Sequence, residues 1–514
     1  MIKRLLISAM CLATTSLWAQ DIYSIQSLSQ RDLNGTARYV GMGGAMSALG
    51  ADISVMGSNP AGIGMYRRND VAASLSLTAQ PHAEKMEGIG RTRASFDQMG
   101  FIIATNVGFD GLQFVNVGIN YHKARNFKSH INTGFQPTGG MSQSWQMMDL
   151  AYAGGWLDLS DNRDRELTTP FTNLGYDTYL IDPILDNEGN IIEYEPSDAD
   201  AYNYKRVQWG GVHQVDFNIG MNFNDRFYAG ITASYYDVNQ RTYTDYTEQL
   251  INYADNTLHD YYFLNDEHVD GEGYGAILGV IWRPMEESAF RVGLSVHTPV
   301  YYTIDTSNDL YMNTPYASGG LDYTARSMGV TNYYEVETPW RFNLSAGGTL
   351  ANSFAYGIEY EYTDAASAKV TYDDGYYKDY ALKHEAERYL RGVHNLKLGG
   401  ELRVVDGLSL RVGYNYESSP FERDAFLNHF IDSDNYYYAT RTDYVNLSEI
   451  HRLTAGWGYT YKGFSVDMAY QYQTQHADVY AFHVPQQGNN HNLLQASRVD
   501  LNRHNLQFTV GYKF

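Results

Sequence analysis

The last ten residues of the chain, 505–514, alternate without interruption between apolar and polar side chains. The apolar positions are Leu506, Phe508, Val510, Tyr512 and Phe514. Successive side chains of a β-strand point to opposite faces, so this period of two predicts a strand with one apolar and one polar face. The edge of a soluble β-sandwich has the same pattern, so the interpretation depends on whether the pattern recurs.

The alternation does recur, and it predicts an all-β protein. About fourteen segments show it, an even number of the kind expected for a single-chain membrane barrel. They start near Val71, Phe96, Leu112, Val212, Phe227, Gly273, Phe290, Arg341, Phe354, Asn395, Leu408, Arg452, Phe464 and Asn505. Charged residues, glycine and serine occupy one face of these segments and apolar residues the other, which is the expected division between a lumen face and a lipid face.

The connections between these segments alternate in length. Short ones lie at residues 107–111, 224–226, 283–289, 351–353, 405–407 and 462–463. Long ones fill the other intervals and include residues 124–211, 303–339, 363–393 and 418–451, with a short helix predicted within 142–156. Membrane barrels have short periplasmic turns and long outer loops. The sequence therefore predicts a transmembrane antiparallel β-barrel in residues 70–514, whose last strand closes the wall against the strand near Val71.

Residues 1–20 have the features of a secretory signal peptide. Lys3 and Arg4 precede an apolar stretch that is too short to span a membrane. The only cysteine, Cys11, lies in this segment, so the mature chain is expected to have no thiol for a disulfide or a zinc site. A lipoprotein signal ending at Cys11 is the alternative, and the bulky Met10 before it argues against that reading.

The charge and the aromatic content restrict the partners. The formal net charge is −22, which argues against nucleic acid. The 46 tyrosines and 7 tryptophans suit membrane interfaces, although tyrosine also favours strands in general. Residues 157–204 hold many acids, and we expect a solvated loop there, with a Ca²⁺-binding or lipopolysaccharide-bridging surface as the alternative. No metal site and no cofactor are predicted.

Residues 21–69 precede the first strand and do not alternate. They contain a glycine-rich stretch with Gly41, Gly43 and Gly44, an acidic turn, and the sequence Asn59-Pro60-Ala61-Gly62. Glycine permits close backbone packing, and asparagine can cap its own turn. These properties predict a compact plug inside a polar lumen, because non-helical backbone at membrane depth must be hydrogen-bonded to protein or water. A phosphate-binding loop is the rival reading, but no Gly-Lys-Ser/Thr follows the glycines.

Residues 21–69 resemble the N-terminal hatch of the FadL family, the outer-membrane transporters of long-chain fatty acids and aromatic hydrocarbons. The motif match is confined to this segment, which we call the hatch; elsewhere the similarity is one of architecture. The C-terminal strand, with Tyr512 and Phe514, likewise resembles the signal that the barrel-assembly machinery of the bacterial outer membrane recognises.

The resemblance implies an outer-membrane transporter for hydrophobic small molecules, fatty-acid-like or aromatic, that is gated by the hatch motif at Asn59, Pro60 and Ala61. In the family, ligands bind among the outer loops and leave through a lateral opening in the wall, beside an inward kink in one strand. The candidate ligand-facing aromatic residues are Tyr301, Tyr302, Tyr333 and Tyr334 and the run Tyr436, Tyr437 and Tyr438. Packing within loops or at the membrane interface is the alternative for each of them.

The expected partners are the lipid and lipopolysaccharide of the outer membrane, an apolar ligand and the assembly machinery, and we expect a monomer. Charged residues on the predicted inner face would line a route or, as we expect, form salt bridges between wall and hatch. They are Arg291, Arg341, Glu359, Lys397, Glu401, Arg403, Arg411 and Asp467. His122 and His297 are expected to be hydrogen-bonding residues of the lumen and not metal ligands.

Other functions stay open at this point. An enzyme is not expected, because the sequence has no Gly-x-Ser-x-Gly motif and its histidines are scattered. A FadL-like barrel that acts as a protein-docking component of a secretion system is the main alternative. A passive porin is disfavoured, because the hatch would block an open aqueous channel.

Overall fold

The wall of the molecule is a closed antiparallel β-barrel. The structure is a computed structural model and describes residues 21–81, 83, 85–109, 111–152, 157–253, 257–315, 322–351, 353–372, 377–429, 438–485 and 492–514. The wall strands are β1 (Asp70–Ala79), β2 (Thr92–Asn106), β3 (Leu112–Asn126), β7 (Ala199–Phe223), β8 (Phe227–Asn252), β9 (Thr257–Trp282), β10 (Arg291–His297), β13 (Arg341–Leu350), β14 (Phe354–Asp364), β17 (Gly392–Val405), β18 (Leu408–Glu417), β20 (Ile450–Tyr461), β21 (Phe464–Thr474) and β24 (Arg503–Lys513). The predicted signal peptide, with Cys11, lies outside the described residues.

Each wall strand pairs with the next one in this order, and the last pairs with the first. At the seam, β1 and β24 are paired from Asp70 opposite Lys513 to Ala79 opposite His504. The predicted closure between the first and last strands is therefore confirmed, with Val71 opposite Tyr512. Both ends of the wall lie at the end of the barrel that has the short turns, which is the periplasmic end.

The fourteen predicted strands all correspond to wall strands, but three of them extend much further than the alternation predicts. β7, β8 and β9 have 25, 26 and 26 residues, and a 26-residue strand is about 85 Å long at ~3.3 Å per residue. The apolar band of a membrane barrel is only about 25 Å tall. The outer halves of these strands therefore project beyond the membrane.

Further strands widen this projecting sheet where long loops were predicted. β4 (Ser129–Gly140) pairs with β7, and β11 (Tyr301–Thr314) pairs with β9 and with β12 (Tyr323–Glu337). In these outer halves the apolar side chains face inward and acids such as Asp266 and Asp270 face outward. In the membrane-spanning halves the apolar side chains face outward, toward lipid. A sequence pattern based on that orientation therefore does not detect the outer halves, where the orientation is reversed.

The remaining elements of the outer loops cover the mouth of the barrel. They are α3 (Gln143–Tyr152), α4 (Asn162–Arg165), α5 (Pro170–Asp177), β5 (Ile181–Leu185), β6 (Ile191–Pro196), a 3-10 helix (Ala365–Ser367), β15 (Lys369–Tyr372), β16 (Tyr377–Lys378), α6 (Tyr380–Tyr389), β19 (Tyr444–Leu447), β22 (His476–Tyr480) and β23 (Ser497–Asp500). The helix α3 agrees with the one predicted within 142–156, of which residues 153–156 are not described. Phe171, Tyr202 and Phe482 belong to the apolar core that these elements share with the projecting sheet.

The hatch lies inside the wall and consists of short elements: α1 (Ile22–Ser29), α2 (Ala37–Gly41) and two 3-10 helices (Ile53–Gly57 and Pro60–Met65). Asp21, Thr36, Asp52 and Asn59 cap these elements with side-chain oxygens that accept backbone N–H groups. Among the described residues, no helix is both long and apolar enough to cross a membrane.

The lipid-facing surface has an apolar band with a ring of aromatic residues at each edge. On β9, for example, Leu278 is exposed midway between Tyr274 and Trp282, while its neighbour Gly279 faces the hatch. At the periplasmic edge Tyr512 packs on Phe464, with ring centroids 4.4 Å apart. Phe514 is exposed at this edge, and its role as an assembly signal stays a prediction.

Replacing Leu278 with arginine tests this orientation. We expect the Leu278→Arg variant to lose about 2–4 kcal/mol of unfolding free energy, because its charge would lie near the middle of the apolar band. Urea unfolding in lipid vesicles measures this loss. The control is Leu185→Arg, since Leu185 is equally exposed but lies in the β5–β6 hairpin. Equal stability of the two variants would contradict the placement of the membrane.

Candidate functional site

The hatch motif joins the hatch to β9. Asn59 is fully buried, and its Oδ1 accepts the backbone N–H of Ala61 at 3.2 Å, which caps the 3-10 helix that begins at Pro60. Its Nδ2 donates to the carbonyl oxygen of Val280 at 3.3 Å. One side chain thus fixes both a turn of the hatch and its position against the wall.

The glycine-rich stretch lies against the opposite side of the lumen. Thr454 of β20 donates its hydroxyl to the carbonyl oxygen of Gly41 at 3.1 Å. Gly43 and Gly44 have φ angles of +61° and +80°, a conformation that glycine adopts without strain. A Cβ atom on Gly43 would lie 2.9 Å from the backbone nitrogen of Tyr414. This stretch therefore needs glycine both for its turn and for its contact with the wall.

Two rows of wall glycines receive the hatch. The register of the barrel places Gly220, Gly230 and Gly279 side by side, and likewise Gly347, Gly357, Gly399 and Gly413. The first row contacts the hatch around Asn59 and Pro60, and the second contacts it from Met42 to Leu49. Cβ atoms in these rows would overlap hatch atoms. The hatch backbone therefore packs directly on the wall backbone.

A chain of ion pairs reinforces this contact. Arg38 of α2 donates two hydrogen bonds to Glu401 of β17, both 3.0 Å long. Glu401 also pairs with Arg411, which in turn pairs with Asp467. The predicted wall-to-hatch salt bridge is thus confirmed at Glu401, where two arginines share one carboxylate in a dry setting.

Other predicted inner-face charges are paired within the wall. Lys397 Nζ lies 2.7 Å from Glu359, and Arg341 Nε lies 3.6 Å from Glu361. Arg403 is exposed at the periplasmic end. The expectation of a salt bridge to the hatch is therefore wrong for Arg341 and Lys397, whose partners are on the neighbouring wall strand. It is also wrong for Arg403, which lies next to the periplasmic turn, where its side chain faces water.

The two lumen histidines make hydrogen bonds. His297 Nε2 lies 3.0 Å from the carbonyl oxygen of Ser58, to which it donates. His122 Nδ1 accepts a hydrogen bond from Asn120 Nδ2 at 3.3 Å and lies 3.5 Å from the Asp216 carboxylate. Within the described ranges, no group of three or more His, Cys, Asp or Glu residues has the arrangement of a metal site.

Above α2 and the 3-10 helices of the hatch, buried apolar side chains cluster around α1 at the outer end of the lumen; we call this cluster, with the cavity beside it, the chamber. Ile22, Ile25 and Leu28 are the residues that α1 contributes to it. The other buried residues of the chamber include Phe127, Val212, Tyr236, Tyr302, Tyr334, Tyr389, Phe421 and Phe426. Tyr23 of α1 stacks on Phe421 with 4.9 Å between ring centroids.

A cavity runs beside α1 within this chamber. The centre of a water-sized molecule has about 130 Å³ in which to move there. Arg441 lies at one end and pairs with Asp21 at 2.8 Å. Burial alone would raise the pKa of the Asp21 carboxyl, but the neighbouring Arg441 guanidinium lowers it below its usual value. The cavity is therefore lined by aromatic rings such as Tyr334 and Phe421 and by charged groups of both signs, among them Arg441, Glu267 and Asp443.

The predicted aromatic pairs are divided between two faces. Tyr302 and Tyr334 are buried in the chamber, whereas Tyr301 is exposed on the outer surface of β11 and Tyr333 faces the same way on β12. Because side chains alternate along a strand, adjacent tyrosines cannot both face the chamber. Tyr301 and Tyr333 therefore face away from the chamber, and a ligand contact of any of the four tyrosines stays a prediction. Tyr436 and Tyr437 lie outside the described residues.

The wall has an interruption in its pairing next to this chamber. β2 and β3 are paired from Asn106 opposite Phe114 only as far as Gln98 opposite His122, although both strands continue outward. Beyond that point Lys123 donates its ammonium group to the Ser95 hydroxyl. We call the opening between the outer ends of β2 and β3 the wall gap.

The hatch takes the place of β2 along the free edge of β3. The backbone N–H of Asp32 donates to the carbonyl oxygen of Ala124 at 2.9 Å, and the Asn126 N–H donates to the Asp32 carboxylate at 2.7 Å. Asn34 Nδ2 donates to the Lys123 carbonyl at 3.0 Å. A register shift between Lys123 and Arg125 bends β3 at this place. The gap and the hatch are therefore mechanically connected.

Comparison with solved structures identifies the fold. The crystal structure of a FadL homologue of Pseudomonas aeruginosa superposes with a TM-score of 0.53 and 12% identity, covering 94% of this chain and 99% of that one. The toluene transporters TbuX of Ralstonia pickettii and TodX of Pseudomonas putida have TM-scores of 0.48 and 0.47 at 12% and 11% identity, with the same coverage.

No protein-family model matches the sequence, and no curated protein matches it. The closed wall with its internal hatch and the likeness to the P. aeruginosa structure nonetheless define the chain as an outer-membrane β-barrel with the FadL fold.

Sequence reasoning missed the wall glycines and, apart from Tyr302 and Tyr334, the residues of the chamber. The glycines carried a signal, since they fill polar-face positions in several alternating strands, where side chains would be expected to face water. The chamber residues carried none, because Phe421, Phe426 and α1 come together from distant parts of the chain.

Adding a methyl group to one glycine of the second row tests the contact between the wall and the hatch. We expect Gly357→Ala to displace the hatch at a cost of about 1–3 kcal/mol, because the added Cβ overlaps the Ala45 carbonyl oxygen. Ion conductance across planar bilayers should rise relative to the wild type. Gly90→Ala is the control, since a Cβ there meets open space. An intact barrel with unchanged conductance would show that the hatch does not rely on this contact.

Proposed function

We propose that this protein takes up hydrophobic small molecules, fatty-acid-like or aromatic, across the outer membrane. The observation that carries the proposal is the apolar chamber at the outer end of a plugged lumen, with its cavity beside α1. An apolar molecule gains free energy by leaving water for such a surface, roughly 25 cal/mol per Å² of apolar area buried. The chamber faces the side from which a nutrient arrives.

The composition of the lumen argues that the ligand leaves before it passes α2 and the 3-10 helices of the hatch. Below the chamber, Arg38, Glu401, Arg411 and Asp467 form a chain of ion pairs between α2 and the wall. Moving an apolar molecule between α2 and this part of the wall would separate largely buried charge pairs, which is costly. A path from the chamber sideways into lipid avoids that cost.

The wall gap is our candidate for this path. It lies next to the chamber, because Phe127, a residue of the chamber, comes directly after the last residue of β3 in the sequence. Asp32 and Asn34 of the hatch occupy the β3 edge beside it. A shift of these two residues would change the hatch and the gap together. We therefore infer that the hatch, with Asn59, Pro60 and Ala61 as its anchor, gates a lateral exit.

A protein-docking role in secretion is the second candidate, and the projecting sheet favours it. The outer halves of β7, β8 and β9 form an extended surface well beyond the membrane, more than a small ligand requires. A gene deletion separates the two functions. Lost export of a protein cargo with normal uptake of fatty acids and aromatic hydrocarbons would favour docking over transport.

Neighbouring tyrosines of β12 provide a matched test of the chamber. We expect Tyr334→Leu to lower the uptake of a radiolabelled long-chain fatty acid or of toluene about tenfold, since it removes aromatic surface from the chamber. Tyr333→Leu makes the same chemical change on the other face and should leave uptake near wild type. Equal uptake by both variants, at equal barrel levels in the membrane, would exclude the chamber from transport.

Cross-linking tests the wall gap. The chain has no cysteine beyond Cys11, so Ser95→Cys and Lys123→Cys introduce a single pair that a short reducible cross-linker can bridge. We expect the bridge to abolish uptake and a reductant to restore it. The control pair is Thr349→Cys and Ala355→Cys, whose residues lie opposite each other on paired strands. Bridging this pair should leave uptake unchanged. Full uptake through a bridged gap would place the exit elsewhere.

A further inference from the structure

A short sequence repeat marks the three C-terminal outer hairpins. In each, Tyr-x-Tyr lies near the outer end of the outgoing strand, and His-x-Leu begins the returning strand. The repeats are Tyr360, Tyr362, His394 and Leu396; Tyr414, Tyr416, His451 and Leu453; and Tyr470, Tyr472, His504 and Leu506. They belong to the strand pairs β14–β17, β18–β20 and β21–β24.

The three repeats have the same geometry. The hydroxyl of the first tyrosine lies 2.7, 2.8 and 2.6 Å from Nδ1 of His394, His451 and His504 in turn. The second tyrosine lies directly opposite the histidine, with ring centroids 5.2, 5.2 and 5.0 Å apart. A fourth pair at the β3–β7 junction, Tyr121 and His213, has the same contact at 2.7 Å.

This contact determines which ring nitrogen carries the proton. A phenol O–H is a stronger acid than a neutral imidazole N–H, so the tyrosine donates to Nδ1 and the imidazole hydrogen is on Nε2. Within the described part of the chain, no protein group pairs with Nε2 of His394, His451 or His504. Each repeat thus holds one N–H donor in a fixed orientation between two aromatic rings.

The position of these donors limits what can accept from them. The histidines lie where wall strands enter the apolar band from outside, and the exposed residues Leu398, Leu453 and Leu506 follow within four residues. This is the boundary between acyl chains and head groups. The acceptors at that depth are the polar groups of the lipid, and a phosphate oxygen accepts the strongest hydrogen bond because it is charged.

The periplasmic edge of the barrel differs. Its exposed rings, among them Phe227, Trp282, Phe354, Phe464 and Phe514, have no histidine partner in the described structure. A general anchoring role would be served by the same residues at both edges. Among the described wall residues, the Tyr–His pairs lie toward the outer leaflet, whose lipid differs from that of the inner leaflet by the phosphorylated sugar head group of lipopolysaccharide.

We propose that the Tyr–His pairs form an arc of binding positions, which we call the ring positions, for the phosphate groups of lipid A in the outer leaflet. The first tyrosine fixes the imidazole, the second packs against its face, and Nε2–H donates to a phosphate oxygen. The function of the ring positions is independent of transport, since they face lipid and not the lumen.

The test is lipid binding to the full-length barrel, measured by native mass spectrometry with purified lipid A that carries two, one or no phosphate groups. We expect the triple variant His394→Phe, His451→Phe and His504→Phe to bind bisphosphorylated lipid A about tenfold more weakly, since it keeps the rings and removes three donors. Wild-type protein should bind dephosphorylated lipid A equally weakly. The matched control replaces His259, His268 and His384 with phenylalanine, all outside the membrane band, and should bind like the wild type.

The proposal would be overturned if the triple variant bound bisphosphorylated lipid A as tightly as the wild type does. It would also fail if the triple variant lost affinity equally for phosphorylated and dephosphorylated lipid A, or if the wild type bound phosphatidylglycerol as tightly as bisphosphorylated lipid A. If the triple variant does not assemble, the variant Tyr360→Phe, Tyr414→Phe and Tyr470→Phe replaces it, since it retains the rings and only frees Nδ1. We expect it to bind bisphosphorylated lipid A about threefold more weakly than the wild type, and unchanged binding would refute the proposed positioning.

Discussion

The structure depends on one requirement: in lipid, every backbone N–H and C=O group needs a partner within the protein. The pairing of β1 with β24 along the length of β1 meets it, because it leaves the wall without a free edge in the apolar band. Closure then creates a lumen, and the alternation of side chains places polar residues in it. The hatch occupies that lumen, so its glycine contacts and ion pairs are consequences of closing the sheet.

Inside the wall, the hatch is held by backbone contact more than by side chains. Seven glycines in two rows allow the chain around Met42 and Asn59 to approach the strands more closely than any side chain would permit. Dispersion and hydrogen bonding both gain from such an approach. The ion pairs at Glu401 add orientation, since a bidentate contact with Arg38 specifies one position of α2.

The wall could be derived from the sequence because its signal is local. Each strand carries its own period of two, and short turns such as 462–463 mark the periplasmic end without reference to distant residues. The projecting halves of β8 and β9 were missed because Asp266 and Asp270 face water there, so the sense of the alternation reverses outside the membrane. The chamber was missed for a different reason: α1 and Phe421 meet only through the fold, and no spacing in the sequence records that contact.

The same backbone requirement constrains any gating movement. At the wall gap, Asp32 and Asn34 satisfy the groups of β3 that β2 leaves unpaired, including the carbonyl oxygens of Lys123 and Ala124. If the hatch withdrew, these groups would lose their partners at the outer boundary of the apolar band, at a cost of about 1–3 kcal/mol for each one that water does not reach. The movement is therefore favourable only when water or a polar group of the ligand replaces the hatch. An amphipathic ligand would meet that condition more readily than a pure hydrocarbon, because its head group can bond to β3 while its apolar part enters the lipid.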